Sequence, residues 1–262
     1  MNISYYTAVS AMKAFQSDLD VTANNMANVN TTGYKPLRSS FNDLIYTELD
    51  VKSEEQLVGH GVKTNGAETV FEQGIFETTD RQLDFAILGK AYFAVELDEE
   101  EMGDDDEFGY TRDGSFQVSA TDDGNYLTTR DGRYVIGRDG DRIELEYKTV
   151  IDRHGKATET NEVDLDNLAE RIGLYTCENP DGLVPAGKNL YRTGISSGEW
   201  VPIDDLDEGA KTSSLMSGKL EMSSTYIPTE MINLLQAQRA FQLNSRIVTT
   251  ADQMEEMINN LR

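Results

Sequence analysis

Ala23-Asn24-Asn25-Met26-Ala27-Asn28-Val29-Asn30-Thr31-Thr32-Gly33-Tyr34-Lys35 is the stretch on which the fold turns. Its first residues close a run of apolar or small side chains at Tyr5, Ala8, Met12, Phe15, Leu19, Thr22, Met26 and Val29. Those steps alternate three and four, which marks a heptad seam rather than a generic amphipathic stripe. Lys13, Gln16, Asp18 and Asp20 lie between them. The spacing predicts a helix over residues 4–28, about 38 Å long. The stretch then turns Asn-rich and reaches Gly33. Asn and Gly accept left-handed backbone angles, so a helix end and a fixed turn belong there.

The other end of the chain mirrors this. Pro228 suits the first turn of a helix, with Thr225 or Thr229 as caps and Glu230 near the positive helix end. No Pro or Gly follows through Arg262. Met231, Leu234, Phe241 and Val248 share this helix with a second seam at Ala240, Asn244, Ile247, Ala251, Met254, Ile258 and Leu261. A helix on the order of 50 Å results, long for the inside of a compact globule.

Between the ends the pattern is β. Leu83–Leu88 and Ala91–Val95 flank Gly89-Lys90 and predict a hairpin. Turns are expected at Asp113-Gly114, Asp122-Asp123-Gly124-Asn125, Asp131-Gly132 and Asp139-Gly140. Short strands are expected between them at Ser115–Val118, Tyr126–Thr129 and Tyr134–Ile136, and later near Ile172–Tyr175 and Leu190–Thr193. This is the rhythm of antiparallel sheet. The expected class is α+β: long N- and C-terminal helices packed as an antiparallel coiled-coil pair, with an inserted antiparallel β-rich domain. Residues 1–35 with 220–262 form the helical assembly domain, 36–70 a connector with an insert, and 71–215 the β-rich outer domain. Two helices leave apolar edges uncovered, and other copies of the chain are the simplest partners.

Composition narrows the function. The net charge of −24, from 47 acids against 23 bases, argues against nucleic acid and against an anionic membrane surface. It also makes copies repel, so assembly must be driven by apolar seams. No apolar run is long enough to cross a membrane as a helix. The first residues lack a basic segment followed by an apolar one, so no cleaved signal peptide is expected. Cys177 is the single cysteine, which excludes an intramolecular disulfide and a cysteine-based metal site.

Residues that could carry chemistry do not converge. The acidic run 98–107 fails the EF-hand template: with Asp104 at position one, position five is Phe108 and the glutamate position is Ser115. It reads as a solvated hairpin loop. Gly59-His60-Gly61 lacks the lysine and hydroxyl of a phosphate loop. His60 and His154 lie far apart, and no nucleophile elbow accompanies them. Trp200, Tyr110, Tyr126 and Tyr134 suit sheet packing better than a sugar platform. No catalytic residue, cofactor or metal is expected.

Four ordered blocks resemble the flagellar rod and hook protein family. They are Ala23–Lys35; Phe71–Thr79 with Leu83–Ile87; Tyr110–Phe116; and Leu220–Ser223 through Gln236–Phe241 to Thr250–Met254. Residues 145–215 carry no matching motif. The length and the segment 46–58 before Gly59-His60-Gly61-Val62 are most similar to the distal-rod branch, with proximal-rod and hook branches as alternatives. Tyr34, Ala91-Tyr92-Phe93 and the loop 98–107 depart from the usual pattern.

The resemblance implies a non-enzymatic subunit of the basal body, exported by the flagellar type III apparatus without a cleaved signal. It implies a homo-oligomeric helical tube that transmits torque, joined to other rod and hook proteins. No nucleic acid and no membrane insertion are implied. Met12, Phe15, Leu19, Met26, Leu234, Phe241, Ile247, Met254 and Ile258 are the expected assembly contacts. Asn24, Asn25, Asn28, Asn30, Thr32, Gly33 and Tyr34 form the family motif.

Overall fold

A computed structural model describes residues 3–49, 56–97, 108–121, 124–151, 157–163, 165, 167–205 and 213–261. The chain opens with α1 (Ile3–Ala27), then β1 (Leu37–Asp43), β2 (Tyr46–Leu49), β3 (Gln56–Gly59) and β4 (Val62–Thr69). Next come β5 (Phe76–Thr78), β6 (Phe85–Leu88), β7 (Tyr92–Glu96), β8 (Phe108–Thr111), β9 (Gln117–Thr121), β10 (Gly124–Thr128) and β11 (Glu144–Leu145). β12 (Tyr147–Ile151), β13 (Ala157–Val163), the single turn α2 (Leu168–Arg171), β14 (Leu174–Cys177), β15 (Val184–Gly187) and β16 (Leu190–Arg192) follow. The chain ends in β17 (Trp200–Pro202), β18 (Ser214–Ser217), β19 (Lys219–Glu221) and α3 (Ile227–Asn260). Helical ends thus enclose an antiparallel β middle, and the class is α+β.

Two compact units share this chain. One holds Met1–Val29, Lys35–Val70 and Thr225–Arg262; the other holds Asn30–Tyr34 and Phe71–Ser224.

In the helical unit α1 and α3 lie against each other. Asn25, near the end of α1, hydrogen-bonds Glu230 in the first turn of α3. The sheltered row of α3 is Leu234, Ala237, Phe241, Asn244, Val248 and Ala251, whose steps alternate three and four. Its fully buried members are Ala237 and Ala251, small residues that let helices approach closely. α1 buries Ala8, Ala14, Thr22 and Asn25.

A long ribbon covers a flank of α1. β1 pairs with β4 from Leu37↔Thr69 to Asp43↔Val62, with a bulge at Ser40/Phe41, and β2 pairs with β3 from Tyr46↔Gly59 to Leu49↔Gln56. The segment expected as a connector is therefore ordered sheet, although residues 50–55 of the insert lie outside the described residues. Its contacts with α1 are specific. Ser39 hydrogen-bonds Asp18, and the rings of Phe15 and Phe41 lie 6.0 Å apart. Gly61 takes φ +110°, and a Cβ there would meet the Ser10 hydroxyl at 2.1 Å, so only glycine fits.

The β unit is built on a six-stranded antiparallel sheet ordered β15-β16-β8-β7-β14-β17, with β11-β10-β9 and shorter pairs around it. β7 is buried on both faces. Phe93 and Val95 point into a cluster with Phe85, Phe116, Leu127 and Ile172, while Tyr92 and Ala94 join Tyr110, Ile136, Cys177 and Tyr191. Period-two alternation with no polar member is what a strand packed on two sides requires.

Two local expectations are corrected. The hairpin at Gly89-Lys90 does not form: β6 pairs with β18, and β7 pairs with β8 and β14. The Gln73 side chain braces the turn, its amide donating to the Ile87 carbonyl (2.7 Å) and accepting from Gly89 N–H (3.0 Å). These are groups that a two-residue hairpin would leave outside its ladder; the ladder of β6 is taken by β18, in register from Ser214↔Leu88 to Ser217↔Phe85. At α3, Pro228 lies in the first turn as expected, but the cap is Tyr226 rather than Thr225 or Thr229, and no side chain caps the helix. The β7–β8 hairpin forms in register from Glu96↔Phe108 to Phe93↔Thr111. Its acidic loop 98–107 lies outside the described residues.

Candidate assembly surface and motif joint

The expected contact residues fall into two groups. Met12, Phe15, Leu19 and Met26 on α1, with Leu234 and Phe241 on α3, are half-buried within the helical unit. Ile247, Met254 and Ile258 are exposed, at 46%, 44% and 65%. The second seam noted in the sequence therefore faces outward for these residues, while the row through Phe241 and Val248 is sheltered. Met231, Ile232, Leu235, Leu243, Met257 and Leu261 extend the exposed apolar surface of α3. Met231 and Leu261 belong to the apolar sets noted in the sequence, whereas Ile232, Leu235, Leu243 and Met257 lie off both and carried no seam signal.

The motif residues do a different job. Asn28 closes the end of α1, its amide donating to the Asn24 carbonyl at 2.9 Å and the Asn24 side chain at 3.1 Å. Asn25 is buried and brackets Leu37: its amide donates to Leu37 O (2.7 Å), and its carbonyl accepts from Leu37 N–H (2.8 Å). A side chain thus supplies the pairing that a neighbouring strand would give to β1. Asn25 and Asn233 also hydrogen-bond Glu230, whose pKa is nevertheless raised, chiefly by burial.

The second half of the motif belongs to the β unit. The Thr32 carbonyl accepts from the Asn189 amide at 2.9 Å, and the Tyr34 carbonyl from Ser224 N–H at 3.3 Å. Asn30 is exposed. Gly33 donates its N–H to the Glu221 carbonyl at 2.8 Å, with φ +69°. A Cβ at Gly33 would lie 2.7 Å from the Arg112 backbone, so the close approach needs glycine twice over.

Glu221 is the centre of this joint and was not anticipated as a site residue. Its carboxylate is fully buried; one oxygen accepts from Gly74 N–H at 2.8 Å and the other from the Arg112 guanidinium at 3.2 Å. Arg112 also donates to the Gly89 carbonyl at 2.8 Å and lies 4.8 Å from the centre of the Tyr92 ring. Burial pushes the Tyr92 and Tyr191 hydroxyls well above their ordinary pKa, although Arg112 works against the rise in both. The sequence signal was present, since Tyr110–Phe116 and Leu220–Ser223 are two of the four recognised blocks. What spacing could not reveal is that they meet.

Burial pushes the Cys177 thiol up from 9.0 to about 11, leaving it protonated at neutral pH and a poor nucleophile. His154 lies outside the described residues. Trp200 stacks on Tyr110 at 3.5 Å, and Tyr126 meets Tyr134 edge-on at 5.4 Å, both as packing pairs. Among the described residues no three His, Cys, Asp or Glu side chains gather to hold a metal, and no helix is long and apolar enough to cross a membrane.

Known families match the chain in this same order. Residues 6–35 match the profile described as flagella basal body rod protein, 86–164 the flagellar hook protein FlgE/F/G D1 domain, and 216–261 the flagellar basal body rod FlgEFG protein C-terminal. Helical ends and β middle together define a flagellar protein of the rod and hook class. Full-length relatives are narrower. The flagellar basal-body rod protein FlgG of Borreliella burgdorferi is 34% identical, covering 98% of this chain and 97% of its own. That of Bacillus subtilis is 33% identical over 99% and 98%, and that of Buchnera aphidicola subsp. Schizaphis graminum 31% over 98% and 99%. The chain belongs to the flagellar basal-body rod protein family.

Proposed function

We propose that this chain is a structural subunit of the distal rod of the flagellar basal body, self-assembling into a helical tube that carries torque from motor to hook. The observation that carries this reading is the likeness to rod proteins along the whole chain, joined to a helical unit with an uncovered apolar surface. An exposed apolar set of this extent on one long helix suits burial against further protein. With a net charge of −24, copies approach one another only if apolar contact outweighs repulsion.

In this reading α1 and α3 form an antiparallel coiled coil along the sheltered row. Met12, Phe15, Leu19, Met26, Leu234 and Phe241 hold the pair and the ribbon, and Ile247, Met254 and Ile258 meet neighbouring copies. The β unit forms an outer layer. The ribbon around 46–58 bridges adjacent subunits and stiffens the tube. Other rod and hook proteins meet the tube's ends, and the subunit leaves the cytoplasm through the flagellar type III apparatus without a cleaved signal.

Electron microscopy of basal bodies from a strain lacking this chain tests the reading. The expected result is a motor that stops before the distal rod, carries no hook and does not swim. Intact, rotating flagella would overturn it.

A further inference from the structure

The chain passes between its two units at four peptide bonds: Val29–Asn30, Tyr34–Lys35, Val70–Phe71 and Ser224–Thr225. Within the β unit, the segments leading to those bonds meet at Glu221, through its main chain at Gly33 and through its buried ion pair at Gly74. Gly33, beside the second crossing, donates to the Glu221 carbonyl; Gly74, just after the third, donates to the Glu221 carboxylate; and Glu221 itself precedes the fourth. Tyr34 and Ser224, the residues at the second and fourth crossings, are hydrogen-bonded to each other. Arg112 closes the group from just past the end of β8, reaching Glu221, the Gly89 carbonyl and the face of Tyr92.

A buried ion pair is a poor choice for stability alone, because desolvation offsets much of the attraction and apolar residues of equal volume often serve as well. What it adds is direction. Apolar contact is non-directional and tolerates sliding, whereas hydrogen bonds to charged groups are short and geometrically fixed. Three crossing segments converge on directional bonds to a single residue whose side chain is completely buried. The four crossings are the covalent path by which force on the helical unit reaches the β unit.

We propose that Glu221, with Arg112, is the mechanical anchor of the β unit: the pair holds the entering and leaving segments in register when the subunit is twisted. This rests on the torque-carrying rod reading. Glu221 and Arg112 are positioning residues here: the carboxylate holds Gly74, and the ion pair fixes the Glu221 main chain that receives Gly33.

The test compares Glu221→Gln with a core truncation of equal thermal midpoint, chosen from Leu127→Ala and Val135→Ala, both remote from the pair. Each full-length variant is expressed in a strain lacking the chain and scored for hooks by electron microscopy. Swimming is then scored in dilute medium and in medium thickened with methylcellulose. The amide keeps the shape and an acceptor for Gly74 but removes the charge facing Arg112. The expected result is that both variants build hooks and swim in dilute medium, while E221Q alone loses swimming in the thickened medium. Equal behaviour of the two under load would overturn the anchor and leave the rod reading standing. Hooks and swimming in the strain without any copy would overturn the rod reading itself. Should E221Q build no hooks, Arg112→Lys carries the same expectation, because it keeps the charge and loses the planar fork spanning Glu221 and Gly89.

Discussion

The β unit and the helical unit bury opposite kinds of residue. In the β unit the fully buried side chains are large: Tyr92, Phe85, Phe93, Phe116, Ile87, Leu127 and Ile172. In the helices the buried residues are Ala8, Ala14, Thr22, Asn25, Ala237 and Ala251, while Met231, Ile232, Leu235, Leu243, Ile247 and Ile258 stand exposed. The β unit has a core of its own and leaves only scattered large apolar side chains exposed, among them Ile75, Leu88, Val184 and Ile195. The helical unit is close-packed where its own helices touch and unfinished elsewhere. Stability and assembly are therefore assigned to different parts of the chain, and substitutions can separate them.

Phe93→Ala should have the largest effect on the purified chain. Phe93 is completely buried, with Phe116 edge-on at 5.0 Å, so truncation removes apolar burial and leaves a cavity. A loss of about 3–5 kcal/mol is expected, read as a fall in the denaturant midpoint followed by fluorescence of Trp200, which stacks in the neighbouring cluster. A midpoint within error of the parent would mean that the β unit does not rest on this core.

Ala237→Leu should cost less and act only on the helices. Ala237 is 2% exposed between α1 and α3, and added bulk there forces the helices apart or the side chain off its rotamer. Overpacking of this kind costs about 1–3 kcal/mol. Helical circular dichroism should melt earlier while the Trp200 transition stays in place. A shift of both together would show that the two units unfold as one and that the contrast drawn above is too sharp.

Much of this was legible in the sequence, and the misses have definite causes. The three-four steps from Tyr5 to Val29 located α1 because a heptad pattern has few other meanings over that length. The Asp-Gly pairs located turns, and Gly132 and Gly140 do take positive φ, at +86° and +83°. The Gly89-Lys90 hairpin was misjudged because β6 finds its partner in β18, far along the chain, which local alternation does not report. The ribbon over residues 37–69 was read as connector because β1 and β4 bury no residue fully and alternate weakly. The Arg112–Glu221 pair joins residues 109 apart in sequence, and no local periodicity reports such a distance.

Ile247→Asp should have the smallest effect on the chain and still end assembly. Ile247 is 46% exposed on α3 and lies off the sheltered row, so an aspartate there stays solvated and buries no charge in the isolated subunit. Surface replacements of this sort usually change stability by no more than about 0.5 kcal/mol. In an assembled tube the same carboxylate would be taken out of water beside chains that each carry a net charge of −24. Phe15→Asp is a less clean probe, because Phe15 also supports Phe41 of the ribbon. The measurement is paired: thermal unfolding of purified I247D, expected to match the parent, and electron microscopy of basal bodies from cells that make it, expected to lack distal rod and hook. Complete rods built from I247D would mean that the exposed surface of α3 at this position faces no neighbour, and the contact between copies would have to be sought on the Met231, Ile232 and Leu235 side instead.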